Sequence, residues 1–336
     1  MEQPVVYACY NKNIEKRRAS SSGGIFVLIA SKVIEVNGVV YGVSMSKDCY
    51  SAEYIAISNL EEIVKLQGSK YLQAKIGDTY RSVQLDLKNG KTVLFAGTGC
   101  QINGLKLFLG KEYQKLICMD VVCHGVPSRK LWEKYIKYQE SIVKEKIIQV
   151  NFRSKEIGWK EFGLKENEKY IPKNEDAYMQ MFLKNYSLRP SCYNCTAKNI
   201  KMSDFSIADF WGVEEIEPEL NDGLGCSLFF IRSEKGKEIF KKLNDEINFK
   251  QISYEEAVKY NIAEYKSVSK PKERISFYMD LEKMTFDKLK KKYTDIGKIK
   301  VYLIVKNEIK KLYSVFLGGG QIKNNAEYGI LFVFNK

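Results

Sequence analysis

Apolar runs alternate with amphipathic stretches along the first 140 residues of this 336-residue chain. VVYACY, VVYGVSM and AEYIAIS are rich in β-branched and aromatic residues, which favours strands. SSGGIFVLIASKVIEV places a serine- and glycine-rich turn before apolar positions at helical spacing, and it predicts a helix that ends near Asn37 and Gly38. The N-terminal third is therefore predicted to be an α/β layer.

The next fifty residues predict two strand–helix units in succession. TVLFAG, at 92–97, and LICMDVV, at 116–122, are short apolar runs that indicate buried strands. Each is followed by a turn and a helix: INGLKLFL at 102–109 after the first, and a helix that Ser128 can cap after the second. Because strand–helix–strand units form right-handed parallel pairs, both strands should end at the same edge of a sheet.

Beyond residue 140 the pattern changes to α+β. A strand is predicted for each of IIQVNFRS, FGLKENEKYI, FSIADFWG and CSLFFIRS, and a helix for DAYMQMFLKNY. The expected fold class is α/β passing to α+β, with mixed sheets and parallel strand–helix–strand units around a cofactor crevice. We expect three regions: an α/β cofactor-binding region (1–90), a catalytic region with a four-cysteine site (91–250) and a basic, mostly helical tail (251–336).

Four of the eight cysteines lie in three distinctive settings: GTGC ending at Cys100, VVCHG around Cys123, and RPSCYNC with Cys192 and Cys195. Cys100 and Cys123 each follow a predicted parallel strand. Neighbouring strands are about 4.8 Å apart, so both cysteines should open into one crevice. The C-x-x-C pair alone fits a dithiol redox pair, half a zinc site or half an iron–sulfur site. We expect its loop to fold over the crevice and complete a group of four thiolates.

The net charge of +13 raises the question of a nucleic-acid partner. Most of the basic residues are lysines and no recognised nucleic-acid motif is present, so we expect no such partner. Part of the excess lies in the tail, where residues 301–317 have a basic and an apolar face. This segment either packs on its own domain or makes peripheral contact with an anionic membrane. The sequence has no apolar stretch of about 20 residues and no signal peptide, so we expect a cytoplasmic protein.

Six motifs occur in order along the chain: SSGGIF (21–26), GSKYLQ (68–73), GTGCQINGL (97–105), DVVCHGVPS (120–128), RPSCYNC (189–195) and SDFSIADFWG (203–212). Over roughly residues 5–245 the chain resembles the β-subunit family of coenzyme F420 hydrogenases and dehydrogenases. The resemblance implies a flavin- and iron–sulfur-dependent oxidoreductase that binds FAD and a 4Fe–4S cluster. It also implies Cys100, Cys123, Cys192 and Cys195 as the cluster ligands.

Three segments and one further residue are candidates for contact with FAD. The small-residue turn before the first helix exposes backbone N–H groups and a positive helix end, which suits phosphate, although an ordinary helix cap would look similar. GSKYLQ offers a cation and an aromatic face. The predicted contacts are Ser21, Ser22, Gly23, Gly24, Ser69, Lys70, Tyr71, Gln73, Gly97, Thr98, Gly99, Gln101 and Asp209. Asp209 and the following Phe-Trp pair fit either a cofactor contact or a core anchor.

His124 is the only histidine in the chain and adjoins Cys123. It is the candidate catalytic residue, because a hydrogen bond from it to a cluster sulfur or to flavin would tune the potential of either group. A half-buried histidine satisfied by its neighbours is the alternative. No G-x-S-x-G or Walker motif is present, which argues against a serine hydrolase and a P-loop ATPase.

The expected activity is hydride exchange between FAD and a small-molecule substrate or hydride carrier, with single electrons passing to or from the cluster. Many relatives carry an N-terminal ferredoxin-like segment, whereas this sequence begins almost at its first strand. We therefore expect a separate ferredoxin-like electron carrier, docked near the C-x-x-C loop by Lys198, Lys201 and the basic tail. Some relatives occur beside surface-polysaccharide genes, so a role in polysaccharide biosynthesis is one hypothesis. The alternative function is a zinc-stapled four-cysteine scaffold or binding protein that has lost flavin.

Overall fold

A nine-stranded mixed sheet runs through the protein in a computed structural model that describes residues 3–296. The strands in chain order are β1 (Val5–Asn11), β2 (Val39–Met45), β3 (Ala52–Ile57), β4 (Ala74–Lys75), β5 (Val93–Thr98), β6 (Leu116–Val121), β7 (Val150–Ser154), β8 (Gly163–Glu166), β9 (Lys169–Pro172), β10 (Phe205–Asp209), β11 (Ser227–Ile231) and β12 (Ile247–Ile252). The large sheet has the order β12-β1-β11-β10-β6-β5-β2-β3-β4, and β7-β8-β9 form a second, antiparallel sheet.

Helices cover both faces of the large sheet and build the region around the small one. In chain order they are α1 (Ile14–Arg18), α2 (Ile25–Glu35), α3 (Ile63–Leu66), α4 (Thr79–Lys88), α5 (Gly99–Leu109), α6 (Arg129–Val143), α7 (Ala177–Leu183), α8 (Val213–Ile216), α9 (Glu234–Lys241), α10 (Tyr254–Lys259), α11 (Arg274–Lys283) and α12 (Phe286–Tyr293). Short 3-10 helices cover Leu60–Glu62, Pro190–Asn194, Thr196–Lys198, Pro218–Leu220, Asn244–Glu246 and Ile262–Glu264. Every helix in residues 3–296 falls short of the length and apolar character that a membrane crossing needs.

The four central strands, β10, β6, β5 and β2, are parallel to their neighbours within this group. Strands β5 and β6 pair in register from Val93 opposite Leu116 to Thr98 opposite Val121. Their carboxyl ends therefore lie side by side, as the strand–helix–strand pattern predicts. The mixed α/β fold class is confirmed.

Alternate residues of these strands face two different helix layers. Val40 of β2 and Leu94 of β5 pack with helix α2 on one face. Tyr41 of β2 and Phe95 of β5 pack with helices α4 and α5 on the other face. Because successive strand side chains point to opposite faces, a fully covered strand needs the nearly continuous apolar run that the sequence shows. Each large apolar side chain buried in this way contributes about 1.5–3 kcal/mol.

Two local predictions were wrong. The stretch FGLKENEKYI is not one strand but a hairpin of β8 and β9, because Asn167 adopts a positive φ of 48° and turns the chain. Strand β12 was not expected: Asn248, Lys250 and Gln251 are polar and Phe249 is the only apolar residue between Ile247 and Ile252. The strand forms as an edge beside β1. The strands of regions 1–90 and 91–250 share the large sheet. Segment 301–317 lies outside the described residues, as do all tail residues after 296. The described part of the tail, 251–296, contains helices α10, α11 and α12.

A buried carboxyl group lies in the core beside the small sheet. Glu166, at the end of β8, is 3% exposed, and neither of its carboxylate oxygens has a hydrogen-bond partner in the described part of the chain. The hydroxyl of Tyr135 donates to Asp176 Oδ2 at 2.6 Å, and Gln139 donates to that hydroxyl at 2.9 Å. Burial raises the pKa of Glu166 to about 7; the nearby Tyr135 hydroxyl opposes this rise, and the Asp176 carboxyl adds to it.

Replacing Glu166 by Gln should stabilise the protein above neutral pH. The folded protein holds this proton up to about pH 7, whereas an ordinary glutamate loses it near 4.5. The stability that the group contributes is therefore complete below pH 4.5 and is lost as the pH rises through 7. In urea denaturation, Glu166→Gln should match the wild type near pH 4.5 and exceed it by about 1–3 kcal/mol at pH 8. The exposed Glu175→Gln is the control, and a difference that does not change with pH contradicts the prediction.

Candidate functional site

A cavity of about 530 Å³ opens at the carboxyl ends of the parallel strands. The turn after β5, the loop after β6 and the end of β10 form one part of its wall. The start of helix α2 and residues 66–76 form the rest. Its volume lies within the range of about 300–1,000 Å³ that is typical of small-molecule sites, and its place in the sheet is where ligands bind in open α/β folds.

Most of the residues that the sequence singles out for FAD line this cavity. They are Ser21, Ser22, Gly24, Ser69, Lys70, Tyr71, Gln73, Gly97, Thr98, Gln101 and Asp209. Gly23 and Gly99 lie behind the wall. The N–H of Gly23 donates to Ser227 Oγ at 2.9 Å, and a Cβ at Gly99 would lie 3.3 Å from the Cβ of Ala197. The structure thus brings distant segments together, and their contact with FAD stays a prediction.

The turn before helix α2 is built to donate hydrogen bonds into the cavity. Gly24 adopts a left-handed φ of 78°, and no side chain caps the helix. Ile25 and Phe26 of its first turn line the cavity, so their N–H groups have no cap competing for them. Ser21 Oγ accepts from the N–H of Ser69 at 2.9 Å and from its hydroxyl at 3.0 Å. The hydroxyl proton of Ser21 therefore remains available to a ligand.

Lys70 provides a cation whose charge is adjustable near neutral pH. Its Nζ donates to the carbonyl oxygen of Gln67 at 2.8 Å, on the wall of the cavity. Burial lowers the pKa of Lys70 to about 7. An anionic ligand in the cavity would favour the protonated form and raise this pKa again.

Gln101 fixes the turn that carries Cys100. Its Oε1 accepts from the N–H of Thr98 at 2.9 Å, from the Thr98 hydroxyl at 3.0 Å and from the hydroxyl of Tyr54 at 2.9 Å. A Cβ at Gly97 would lie 2.2 Å from the Tyr54 hydroxyl, so this arrangement requires glycine there. The Thr98 hydroxyl in turn lies 3.2 Å from Cys100 Sγ. The turn is therefore held rigidly at the cavity wall.

Cys100, Cys123 and Cys192 lie close enough to interact electrostatically, and Cys195 interacts with Cys192. Cys100 is exposed, and Cys123, Cys192 and Cys195 are half-buried. Burial raises the pKa of the Cys123 thiol to about 12; the Lys198 ammonium opposes this, and Cys100 and Cys192 add to it. Burial also raises the pKa of Cys192, whose sulfur accepts the N–H of Val126 at 3.4 Å.

These thiols do not form a closed metal site in the described residues. Within 3–296, no three His, Cys, Asp or Glu side chains converge as closely as a bound metal ion requires. The donor set itself, four thiols from three loops, is the chemistry of a zinc or iron–sulfur site. Binding of one metal group by all four therefore requires the loops to draw closer.

His124 lines the cavity beside Cys123. Its Nε2 donates to Asn185 Oδ1 at 2.7 Å, and its ring meets the ring of Phe182 edge-on at 5.2 Å. Burial lowers the pKa of His124, so the imidazole is neutral at pH 7. With Nε2 as the donor, Nδ1 is an acceptor. His124 is therefore held by a neighbouring side chain, and its catalytic role stays a prediction.

Two buried cations from β7 and its end were missed by sequence reasoning. Arg153 makes a bidentate ion pair with Asp209, at 3.0 and 3.1 Å, and its guanidinium lies 3.9 Å from the ring centroid of Phe162. Lys155 donates to three carbonyl oxygens, those of Arg17, Ser22 and Leu224, at 2.9, 2.8 and 2.7 Å. The sequence feature that could have revealed them is an arginine and a lysine two residues apart at the end of a predicted strand.

The segment of Asp209, Phe210 and Trp211 combines a cavity-lining carboxylate with a core anchor, and the contact of Asp209 with a cofactor stays a prediction. Its carboxylate lines the cavity, held by Arg153 and by the indole N–H of Trp159 at 3.3 Å. The next residue, Phe210, is fully buried, and Trp211 stacks on Trp159 with ring centroids 5.4 Å apart. A polar cavity wall and an aromatic anchor are adjacent in one short segment.

The predicted docking role of Lys198 and Lys201 is wrong for these two side chains. Lys198 Nζ donates to the carbonyl oxygens of Cys123 and Ala263. Lys201 Nζ lies 2.7 Å from the buried Glu264 carboxylate. Both ammonium groups are bonded within the protein, so neither is free for direct contact with an acidic carrier.

Comparisons with known proteins agree with this architecture. Residues 90–257 match the profile of a family described as the C terminus of the coenzyme F420 hydrogenase/dehydrogenase beta subunit. A coenzyme F420-dependent sulfite reductase of Methanocaldococcus jannaschii is 22% identical over 240 residues, which cover 68% of this chain and 36% of that protein. The chain thus spans about a third of the curated relative it matches.

A solved structure has a similar fold. A chain of the F420-reducing [NiFe] hydrogenase complex from Methanosarcina barkeri superposes with a TM-score of 0.52 at 15% identity, over 87% of this chain and 91% of that one. The family profile covers half of the 336 residues, from the start of β5 to helix α10. The chain belongs to the coenzyme F420 hydrogenase/dehydrogenase beta-subunit family.

Replacing Arg153 by Met should destabilise the fold strongly. The side chain of Arg153 is 2% exposed and that of Asp209 is 21% exposed, so the variant leaves a largely buried carboxylate without its partner. We expect a loss of about 3 kcal/mol in the free energy of unfolding, measured by urea denaturation. The double variant Arg153→Met with Asp209→Asn should recover part of it, and the exposed Arg189→Met is the control. A single variant as stable as the wild type would refute the role of the pair.

Proposed function

We propose that the protein is an oxidoreductase that binds FAD in the cavity and a 4Fe–4S cluster at Cys100, Cys123, Cys192 and Cys195. The observation that carries the proposal is the single cavity shared by the predicted flavin segments and by two of the four cysteines, Cys100 and Cys123. When bound, FAD would supply hydride and one-electron chemistry, and the cluster would take up or return single electrons.

The donors around the cavity suit a dinucleotide with a pyrophosphate. The uncapped start of helix α2 and the Ser21 hydroxyl donate from one side, and Lys70 provides a positive charge. Of the acidic side chains, Asp209 alone is among the described lining residues, and Arg153 already neutralises it. An anionic group therefore meets donors and cations rather than a free carboxylate.

Chain residues would also separate the reacting centre from water. Apolar side chains such as Phe26, Val122 and Phe182 line the cavity between the glycine-rich turns. His124, neutral at pH 7, places an acceptor nitrogen and an aromatic edge at the same wall. We propose that His124 orients the bound flavin ring or the substrate through a hydrogen bond.

The names of the relatives support coenzyme F420 as the hydride carrier. The cavity would hold FAD where such a deazaflavin could exchange hydride with it, and Cys100 and Cys123 on the same wall would hold the cluster that takes up single electrons. We retain a ferredoxin-like protein as the proposed electron partner, approaching the exposed Cys100. A role in polysaccharide biosynthesis is a further hypothesis about the substrate.

Anaerobic purification should yield a coloured protein. We expect one FAD per chain, released on denaturation and identified by chromatography, and about four iron and four sulfide per chain. Added FAD should bind with a dissociation constant in the micromolar range, roughly −8 kcal/mol. A colourless protein that holds one zinc and binds no flavin would instead establish the four-cysteine scaffold.

Cys192→Ser should remove the cluster and leave the flavin in place. The C-x-x-C residue Cys192 does not line the cavity, so FAD content should stay near one per chain. Iron and sulfide should fall at least severalfold, and the visible absorption of the cluster should disappear. Cys226→Ser, which alters a buried thiol in the core beside β11, is the matched control. Unchanged iron in the Cys192 variant would exclude this residue as a ligand.

A further inference from the structure

The loop that carries Cys192 and Cys195 has little regular structure of its own. It runs from α7 to β10 through two 3-10 turns, Pro190–Asn194 and Thr196–Lys198. Its internal backbone bonds include Cys192 N–H to Arg189 O at 3.0 Å and Lys198 N–H to Cys195 O at 3.1 Å. Its position relative to the other cysteines also depends on contacts with neighbouring segments.

The chain around Cys123 holds one side of this loop. The N–H of Arg189 donates to the carbonyl oxygen of Val126 at 3.0 Å, and the N–H of Val126 donates to Cys192 Sγ. The adjacent N–H of Ser128 donates to Ser187 O at 2.8 Å. These contacts tie the loop to the turn after β6.

A stretch near the end of the described chain, residues 262–278, holds the other side. Ser267 Oγ accepts the N–H of Cys195 at 2.9 Å. Arg274 donates from Nη2 to the carbonyl oxygen of Leu188 at 3.0 Å and from Nε to the hydroxyl of Tyr193 at 3.2 Å. Tyr193 lies between the two cysteines, so this stretch contacts the loop before, within and at the end of the C-x-x-C sequence.

Further contacts extend the same support. The hydroxyl of Tyr278 donates to Ser187 O at 2.7 Å, and the Arg274 guanidinium lies 4.5 Å from the ring centroid of Tyr278. Lys198 joins the carbonyl oxygens of Cys123 and Ala263, which links both sides of the loop. The match to the family profile ends at residue 257, so this stretch lies outside the residues that the profile matches.

We propose that residues 262–278 are a clamp that sets the distance of the C-x-x-C loop from Cys100 and Cys123. Ser267 and Arg274 are its positioning residues. The inference rests on the proposed function only in treating the four cysteines as one site. The clamp acts on the loop backbone, so its effect is measurable in the metal-free protein.

The experiment measures how fast each cysteine is alkylated in the full-length, reduced, metal-free protein, with mass spectrometry of the individual peptides. Ser267→Val removes the hydroxyl acceptor, and Ser267→Thr keeps it at nearly the same size. Labelling of Cys195 should be about fivefold faster in the Val variant. The loss of one hydrogen bond shifts the equilibrium between the closed and open loop by about this factor. The Thr variant should stay within about twofold of the wild type.

Arg274→Gln tests the second contact independently. It should accelerate labelling of Cys192 by up to about 25-fold, since two donors to the loop are lost. Lys270→Ala, an exposed neighbour of both positions, should change nothing, and the exposed Cys100 serves as the internal reference. Equal Cys195 rates in the Val and Thr variants would overturn the clamp. Faster labelling of the buried Cys118 as well would indicate global unfolding and also overturn it.

Reconstitution with iron and sulfide separates this inference from the proposed function. If the wild type binds the cluster, the Val variant should retain less iron than the Thr variant and, after one-electron reduction with dithionite, show a broadened electron paramagnetic resonance signal. Equal iron retention and identical signals would count against the clamp. If the wild type takes up no iron and sulfide, the proposed function fails, and the labelling rates still decide whether residues 262–278 position the loop.

Discussion

The in-register parallel pairing of β5 and β6 is the constraint on which the site depends. It places Thr98 opposite Val121, so the two turns that follow begin at the same height on the sheet. Parallel neighbours on both sides, β2 and β10, extend this edge, and the cavity opens there. A shift of one residue in this register would turn Phe95 and Leu94 to the wrong helix layers, so the two hydrophobic cores enforce the alignment.

Sequence reasoning could predict this part because short-range patterns determine it. Buried strands, glycine-rich turns and capped helices alternate from residue 92 to Ser128, and the handedness of crossovers then leaves one arrangement. The hairpin at Asn167 and the edge strand β12 were harder to predict from the sequence, since turn conformation and edge pairing depend on tertiary neighbours. The proximity of Ser21 to Ser69 followed from family resemblance rather than from any local pattern.

The buried cations show where sequence patterns carry least information. Arg153, Lys155 and Arg17 look like surface residues of strands and short helices, yet each is held by carbonyl or carboxylate oxygens from distant segments. Arg17 makes a bidentate pair with Asp222 and bonds to Gly225 O. These cations join the start of α2 to β10 and to the loop before β11. They make the small-residue turn part of a rigid frame, which lowers the entropy lost when a ligand binds.

The two edges of the large sheet limit how this protein can join others. One edge is β4, only two residues long, and the other is β12, where Lys250 pairs with Glu217 at 2.6 Å. Short edge strands and lysines on an edge discourage the addition of a strand from another chain. Association with a redox partner at the described surface would therefore rely on side chains and loops, with fast exchange, rather than on a shared sheet. This would suit the proposed electron transfer, in which the partners would meet briefly and separate.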